Sequence, residues 1–118
     1  VKHGLSALAD PAVVQLLRDR DATLDMTPIS NVKLRAVPSM VEHPIRRFLA
    51  AGVRCTISTD DPMLFGNRLI DEYAALANEA GLDRAALVRI ARNGFEVADL
   101  PPSAKAGYGR QLDALLAG

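Results

Sequence analysis

The alternation of short strand-like runs with helix-like segments constrains the fold of this 118-residue chain most. Apolar and branched residues at 1–4, 22–26 and 53–58 predict strands. Segments with apolar residues at helical spacing lie between these runs and after them. Such an order is expected of a parallel sheet, because parallel strands need a crossover connection between them. We therefore predict an α/β fold with about three strands, the first of them cut short.

About three parallel strands are too few for a closed structure of their own. An eight-stranded barrel with its helices needs about 250 residues, and an open sheet of this size would leave both edges bare. The sequence pattern therefore predicts that residues 1–118 are the C-terminal part of something larger.

Capping residues mark several helix starts. Asp10 precedes Pro11, which suits an N-cap followed by the first helical position, and Asp83 precedes a further apolar helical stretch. His43-Pro44 marks another start, where we expect His43 to have a structural role in packing against or capping the preceding loop.

The composition excludes several classes of function. The 14 Lys and Arg residues equal the 14 Asp and Glu residues in number, and tryptophan is absent, so we expect neither a nucleic-acid partner nor a membrane partner. The single cysteine, Cys55, cannot form an internal disulfide, which fits a reducing compartment and a cytoplasmic location.

Two adjacent carboxylates, Asp60 and Asp61, follow the strand predicted at 53–58, and Pro62 then turns the chain out of the strand. The carboxyl ends of barrel strands are where catalytic residues lie. Two neighbouring carboxylates stay ionised most easily when a cation or a hydrogen-bond donor takes one of them. Our hypothesis is that Asp60 binds a metal ion and Asp61 bonds to a substrate, and the alternative is a plain Asp-Asp-Pro turn.

Four motifs in order give the chain a resemblance to the adenosine deaminase family, and it covers nearly the whole length. The motifs are His3-Gly4, Pro28-Ile29-Ser30-Asn31, His43-Pro44 and Ser58-Thr59-Asp60-Asp61-Pro62. The resemblance implies a zinc-dependent (β/α)8 TIM barrel, with residues 1–118 as its C-terminal part. It also implies that the barrel hydrolyses the 6-amino group of a purine nucleoside such as adenosine and releases ammonia. Adenine or an aminofutalosine-type nucleoside is the alternative substrate.

The resemblance also implies roles for individual residues. Asp60 would be a zinc ligand, Asp61 would bond to a purine ring nitrogen in substrate binding, and His3 would orient the zinc-activated water as a catalytic residue. Ser30 and Asn31 are instead expected to satisfy backbone groups at the strand end.

The chain departs from the family pattern in two ways. Thr27 stands where family members often carry cysteine, and no His-x-His or His-x-x-Glu segment is present. Zinc would therefore need ligands from an N-terminal part of the barrel, and we predict that the 118 residues alone are inactive. Two further alternatives remain open, namely a non-catalytic binding or assembly module and an amidohydrolase that acts on another amide or amine.

Overall fold

The computed structural model describes all residues from 1 to 118, and it consists of seven α-helices around two parallel strands. The helices are α1 (Pro11–Asp19), α2 (Pro28–Lys33), α3 (Ile45–Ala50), α4 (Pro62–Phe65), α5 (Leu69–Asn78), α6 (Arg84–Val97) and α7 (Pro102–Ala117). The strands are β1 (Thr23–Met26) and β2 (Arg54–Ile57), and a 3-10 turn spans Leu5–Ala9. None of the helices combines the length and the apolar character that crossing a membrane requires.

The two strands pair in parallel, with Thr23 opposite Arg54 and Met26 opposite Ile57. The segment before the 3-10 turn adds one parallel bridge on the other edge of β1, between Lys2 and Asp25. The predicted parallel α/β arrangement is confirmed. The predicted first strand is reduced to that single bridge, because only residues 1–3 run alongside β1 before a left-handed turn at His3 diverts the chain.

One side of the sheet packs against the helices and forms the core. Successive strand residues point to opposite sides, and on this side Leu24, Met26 and Cys55 are completely buried. Phe48 of α3, Leu76 of α5 and Ile90 of α6 join the same apolar cluster. Burial raises the pKa of the Cys55 thiol to about 12, in agreement with a packing role rather than a nucleophilic one.

The other side of the sheet carries a row of polar side chains. Lys2 Nζ lies 2.8 Å from Asp25 Oδ2 and 2.6 Å from Ser58 Oγ, and Thr56 Oγ1 donates to Asp25 Oδ1 at 2.9 Å. Burial pushes the pKa of Asp25 upward, but the hydrogen bonds from Lys2, Ser58 and Thr56 outweigh it, so the pKa lies below its ordinary value. No helix covers this row, and the side chains of Lys2 and Asp25 remain partly exposed.

The predicted helix starts are confirmed where a local cap defines them. Asp10 accepts a hydrogen bond from the Ala12 amide, and Asp83 accepts one from the Ala86 amide, both at 2.8 Å. From the sequence we expected no helix directly after β1, but Pro28–Lys33 form helix α2 with Thr27 as its N-cap.

Candidate active site

Three polar segments meet at the carboxyl ends of the parallel strands. His3 ends the first extended segment, Thr27 follows β1 directly, and Asp60 comes three residues after the end of β2. Parallel strands bring their carboxyl ends to one edge of the sheet, so residues far apart in sequence become neighbours there. The residues that the sequence singled out at 3 and 60 therefore lie on either side of the chain that leaves β1.

The chain leaving β1, residues 27–31, holds both of its neighbours by side-chain hydrogen bonds. Ser30 Oγ donates to Asp60 Oδ2 at 2.6 Å. Thr27 Oγ1 lies 3.1 Å from His3 Nδ1, and Asn31 Nδ2 lies 3.5 Å from the same nitrogen. The expectation that Ser30 and Asn31 serve backbone groups is wrong, because their side chains bind the side chains of other segments. We call residues 27–31 the bridging segment.

His3 and Asp60 share an uncommon backbone conformation. Their φ angles are 59° and 61°, in the left-handed region that residues other than glycine seldom adopt. Histidine and aspartate tolerate this region better than most residues, although such a conformation still costs about 1 kcal/mol or more. The bridging segment bonds to both side chains, and it thereby holds two strained residues at one edge of the sheet.

Asp61 is turned toward its own helix rather than toward Asp60. Its Oδ1 accepts hydrogen bonds from the amides of Met63 and Leu64, both at 3.1 Å, and it is the N-cap of α4. Pro62 occupies the first helical position after it. The carboxylate is exposed, and its Oδ2 makes no hydrogen bond within the chain. The structure thus does not join the two aspartates through a common partner.

A buried carboxylate, Glu72 of α5, supports both ends of the bond between Ser30 and Asp60. Its Oε2 accepts a hydrogen bond from the Ile29 amide at 2.9 Å. Its Oε1 accepts one from Asn67, whose amide also donates to the Thr59 carbonyl at 3.1 Å. Ile29 and Thr59 are the residues just before Ser30 and Asp60, so Glu72 fixes the backbone on each side of that contact.

The Glu72 site is closed to solvent. Burial raises the pKa of Glu72 above its ordinary value, and the bonds from Ile29 and Asn67 offset only part of this effect. Asn67 Oδ1 is also buried and has no hydrogen-bond partner. A fully buried polar group without a partner is uncommon in folded proteins, and here it lies directly beneath the turn that carries Asp60.

His43 lies behind the bridging segment and is almost fully buried. Its Nδ1 accepts a hydrogen bond from the Ile45 amide at 3.2 Å, and its Nε2 lies 3.1 Å from Asn31 Oδ1. The predicted structural role at the start of α3 is confirmed, because the imidazole binds the first helical amide. Burial lowers the pKa of His43 to about 4, so the ring is neutral near neutral pH.

The donors of a metal site are only partly present. No three His, Cys, Asp or Glu side chains of this chain converge into a group that could hold a metal ion. Asp60 nevertheless fits one ligand position, since Ser30 binds its Oδ2 and its Oδ1 makes no hydrogen bond within the chain. A carboxylate held by a second residue in this way is a common form of metal ligand.

A cleft of about 770 Å³ opens beside His3 and Asn31, between the 3-10 turn and the segment that joins α2 to α3. Its wall is mainly apolar, with Glu42 and Arg47 also on the lining. Neither Asp60 nor Asp61 reaches it. The two aspartates therefore lie on an open edge of the molecule, and His3 lies between that edge and the cleft.

The sequence did not predict the contacts of four residues of this site, namely Thr27, Ser30, Asn31 and Glu72. For Glu72 a signal was present, because it falls between Leu69 and Leu76 on the helix face that carries the apolar residues. A carboxylate within such a stripe is seldom buried unless it has partners. The other three residues carried no comparable signal, since their partners lie on distant segments.

Comparison with known proteins places the chain in a family. Residues 1–114 match the family model described as Adenosine deaminase. An aminodeoxyfutalosine deaminase of Streptomyces coelicolor is 40% identical over 99% of this chain, and an adenine deaminase of Cupriavidus necator is 39% identical over 96% of it. The aligned regions cover 30% and 32% of those two proteins. The chain thus spans about a third of the length of these curated relatives.

Solved structures show the same arrangement of elements. The adenine deaminase of Arthrobacter aurescens superposes with a TM-score of 0.94 at 27% identity, over 99% of this chain and 36% of that one. An amidohydrolase from Burkholderia ambifaria with bound Zn superposes with a TM-score of 0.83 at 22% identity, over 99% and 34% of the two chains, a likeness of fold alone. Because the family model matches nearly every residue, the chain belongs to the adenosine deaminase family.

Proposed function

We propose that this chain contributes to the active site of a zinc-dependent hydrolytic deaminase, within a (β/α)8 barrel that other residues complete. The reaction would replace the 6-amino group of a purine by an oxo group, with consumption of water and release of ammonia. The observation that carries the proposal is the bridging segment, which holds His3 through Thr27 and Asp60 through Ser30 at one edge of the sheet.

Asp60 is proposed as one ligand of the zinc ion. Ser30 donates to its Oδ2 and so fixes the carboxylate, while Oδ1 remains for a metal ion. Zinc, when bound, would supply an activated water at neutral pH and a positive charge that stabilises the reacting oxygen. The remaining zinc ligands would come from a part of the polypeptide outside these 118 residues.

His3 and Asp61 are proposed to act on the water and on the substrate. His3 would hold the attacking water by a hydrogen bond and orient it toward the carbon that bears the amino group. Asp61 would bind a purine ring nitrogen through Oδ2, because its Oδ1 already caps α4. Its capping role and its proposed binding role therefore use different oxygens of one carboxylate.

The substrate is proposed to be adenine, an aminofutalosine-type nucleoside or adenosine. Relatives of this chain are named as adenine deaminases and as aminodeoxyfutalosine deaminases, and all of these substrates share the 6-aminopurine ring. The groups that would separate a free base from a nucleoside lie on the far side of the ring from the amino group. The three substrates therefore share the part of the purine ring on which the hydrolysis acts.

The test is a substrate panel on the full polypeptide that carries these residues, loaded with zinc. Ammonia release would be measured with adenine, adenosine and aminodeoxyfutalosine at saturating concentrations. We expect hydrolysis of at least one of them and no release from the 118-residue chain alone. A zinc-loaded polypeptide that hydrolyses none of the three would contradict the proposal and favour a non-catalytic assembly module.

The role of Asp61 can be separated from its capping role by Asp61→Ser. Serine is also a good N-cap, so α4 is retained while the carboxylate is lost. We expect kcat/KM to fall about 100-fold or more with the zinc content unchanged. Asp10→Ser makes the same substitution at the N-cap of α1 and should leave the rate unaffected. Equal rates for the two variants would remove Asp61 from the site.

A further inference from the structure

Four polar side chains form one continuous hydrogen-bonded chain behind the proposed site. It runs from His43 through Asn31 to Thr27 and ends at His3. His43, Asn31 and Thr27 are almost completely buried. Water therefore does not supply their missing donors or acceptors, and each group has to be satisfied by its neighbour in the chain. The direction of every hydrogen bond follows from this requirement.

His43 determines which atoms donate and which accept in this series of hydrogen bonds. Its Nδ1 accepts a hydrogen bond from the backbone amide of Ile45 at 3.2 Å, so that nitrogen carries no proton. A neutral imidazole then bears its proton on Nε2. That proton points to Asn31 Oδ1, at an Nε2–Oδ1 distance of 3.1 Å. The lowered pKa of His43 agrees with a neutral ring in this buried position.

The orientation of the Asn31 amide then determines that Asn31 donates to Thr27. Because His43 donates to Oδ1, the amide nitrogen of Asn31 must face the other way, which excludes the flipped amide. Asn31 Nδ2 then donates to Thr27 Oγ1 at 3.3 Å and lies 3.5 Å from His3 Nδ1. The Thr27 hydroxyl has accepted one bond, and its own hydrogen still needs an acceptor.

The only hydrogen bond left to the Thr27 hydroxyl is the one to His3 Nδ1, at 3.1 Å. A proton on His3 Nδ1 would face the Asn31 amide nitrogen and would leave the buried Thr27 hydroxyl hydrogen without an acceptor. An unsatisfied buried donor costs about 1–3 kcal/mol. With Nδ1 unprotonated, every group in the chain is satisfied, and the proton of His3 lies on Nε2.

We propose that His43 and Asn31 are positioning residues, which act through Thr27 to fix His3 as the tautomer with its proton on Nε2. His3 then presents a hydrogen-bond donor, not a base, to whatever oxygen binds at its outer nitrogen. The tautomer follows from the contacts within this chain, and its catalytic meaning rests on the proposed function. In a deaminase, this donor would hold the attacking water and could not remove a proton from it.

The tautomer can be read directly by NMR. The full polypeptide would be labelled with 15N-histidine, and two-bond correlations between ring protons and ring nitrogens would identify the protonated nitrogen of each histidine. His3→Gln and His43→Gln serve only to assign the two signals. We expect Nε2 to carry the proton and Nδ1 to carry none in both rings. A proton on Nδ1 of His3 in the unmodified protein would overturn the proposal without any variant.

Asn31→Asp should reverse the tautomer of His3. Its carboxylate has the same shape and still accepts from His43, but it has no amide hydrogens to donate to Thr27. The Thr27 hydroxyl can then turn to the carboxylate and accept from His3, which moves the His3 proton to Nδ1. We expect this shift in the spectrum and a fall in kcat of about 10- to 100-fold, with KM little changed.

Ser39→Ala is the matched control. Ser39 bonds to Glu42 in the loop before His43 and is not one of the four hydrogen-bonded side chains behind the site. It should change neither the tautomer nor kcat. An Asn31→Asp protein that keeps the His3 proton on Nε2 would contradict the proposal that Asn31 fixes the tautomer of His3. The polypeptide could also show the expected tautomer of His3 and deaminate none of the three purines. That result would support the proposed roles of His43 and Asn31 and contradict the proposed function.

Discussion

The two sides of the short parallel sheet differ in what covers them. On the helix side, Leu24, Met26 and Cys55 have no exposed surface, and α3, α5 and α6 close over them. On the open side, Lys2 and Asp25 lie in a polar row that no helix covers. The helix side is therefore a solvent-excluded apolar core. On the open side, Lys2 and Asp25 form an ion pair, but both side chains remain partly exposed to solvent.

This difference separates the residues that hold the fold from those that carry the proposed chemistry. The helix side is apolar, so its contribution to stability comes from burial and packing. The bridging segment, His3 and Asp60 lie at the carboxyl edge of the sheet, where hydrogen bonds rather than packing fix their positions. Substitutions on the helix side should therefore act on stability first, and substitutions at the edge should act on function first.

Phe48→Ala should give the largest loss of stability. Phe48 is completely buried on the helix side, and its truncation removes apolar contact and leaves a cavity. We expect the free energy of unfolding to fall by about 3–5 kcal/mol, measured by urea denaturation followed by circular dichroism. Leu16→Ala on α1 is the control, because Leu16 is 52% exposed and should change the value by about 0.5 kcal/mol or less. Similar losses for both variants would show that the helix side is not the core.

Glu72→Gln should lower the free energy of unfolding by less than Phe48→Ala does. It should also remove one cause of the pH dependence of that free energy. The neutral amide cannot reproduce both acceptor bonds, to Ile29 and to Asn67, so we expect a loss of about 1–3 kcal/mol at pH 5. The folded protein holds the Glu72 proton more tightly than the unfolded chain does. Its stability should therefore decline as pH rises above the ordinary value of 4.5.

Urea titrations between pH 4 and pH 8 would check this slope. The difference in stability between the unmodified protein and Glu72→Gln should shrink as pH rises, because only the unmodified protein carries the cost of ionising a buried carboxyl. A constant difference across this range would show that Glu72 is ionised without cost in the folded state.

Asp25→Asn on the open side should have the smallest effect. The side chains of Lys2 and Asp25 are 46% and 34% exposed, so solvent weakens their ion pair, and we expect a loss of about 1 kcal/mol or less. Its pH dependence should have the opposite sign to that of Glu72. Because the pKa of Asp25 is lower in the folded protein, its ionised carboxylate stabilises the fold at pH values above the ordinary pKa of 3.8. This contribution is lost as pH falls through the pKa of the folded state.

Denaturation of the Asp25→Asn variant at pH 7 and at pH 3 would measure this contribution. The variant should differ from the unmodified protein at pH 7, and the difference should narrow on the acid side. A loss as large as that of Phe48→Ala would erase the distinction between the two sides of the sheet.

The sequence predicted those parts of the fold that depend on local signals. The parallel order of strands and helices, the caps at Asp10 and Asp83, and the role of His43 at a helix start all follow from residues close together in the chain. Helix α2 was not predicted because its stabilising partner is distant. Thr27, its N-cap, bonds to His3 instead of to the helix, and Glu72 of α5 accepts the hydrogen bond of the Ile29 amide.

The candidate site divides in the same way. Asp60 and His3 could be singled out because each ends a predicted strand within a recognisable motif. Ser30 and Asn31 lie in such a motif too, but their contacts could not be predicted, because their partners are brought close only when the strands pair. Sequence spacing within 27–31 contains no information about contacts to residues 3 and 60. The candidate residues could be named from the sequence, whereas the hydrogen bonds that hold them required the structure.

The most direct measurement is the zinc content and deaminase rate of Asp60→Asn in the full polypeptide. Asparagine tolerates the left-handed backbone and can still accept the hydrogen bond from Ser30, so the fold should be retained while the carboxylate is lost. Asp99→Asn, at the exposed junction of α6 and α7, is the matched control. We expect loss of both zinc and turnover for Asp60→Asn and no change of either for Asp99→Asn. Full zinc content and an unchanged rate in Asp60→Asn would contradict this expectation.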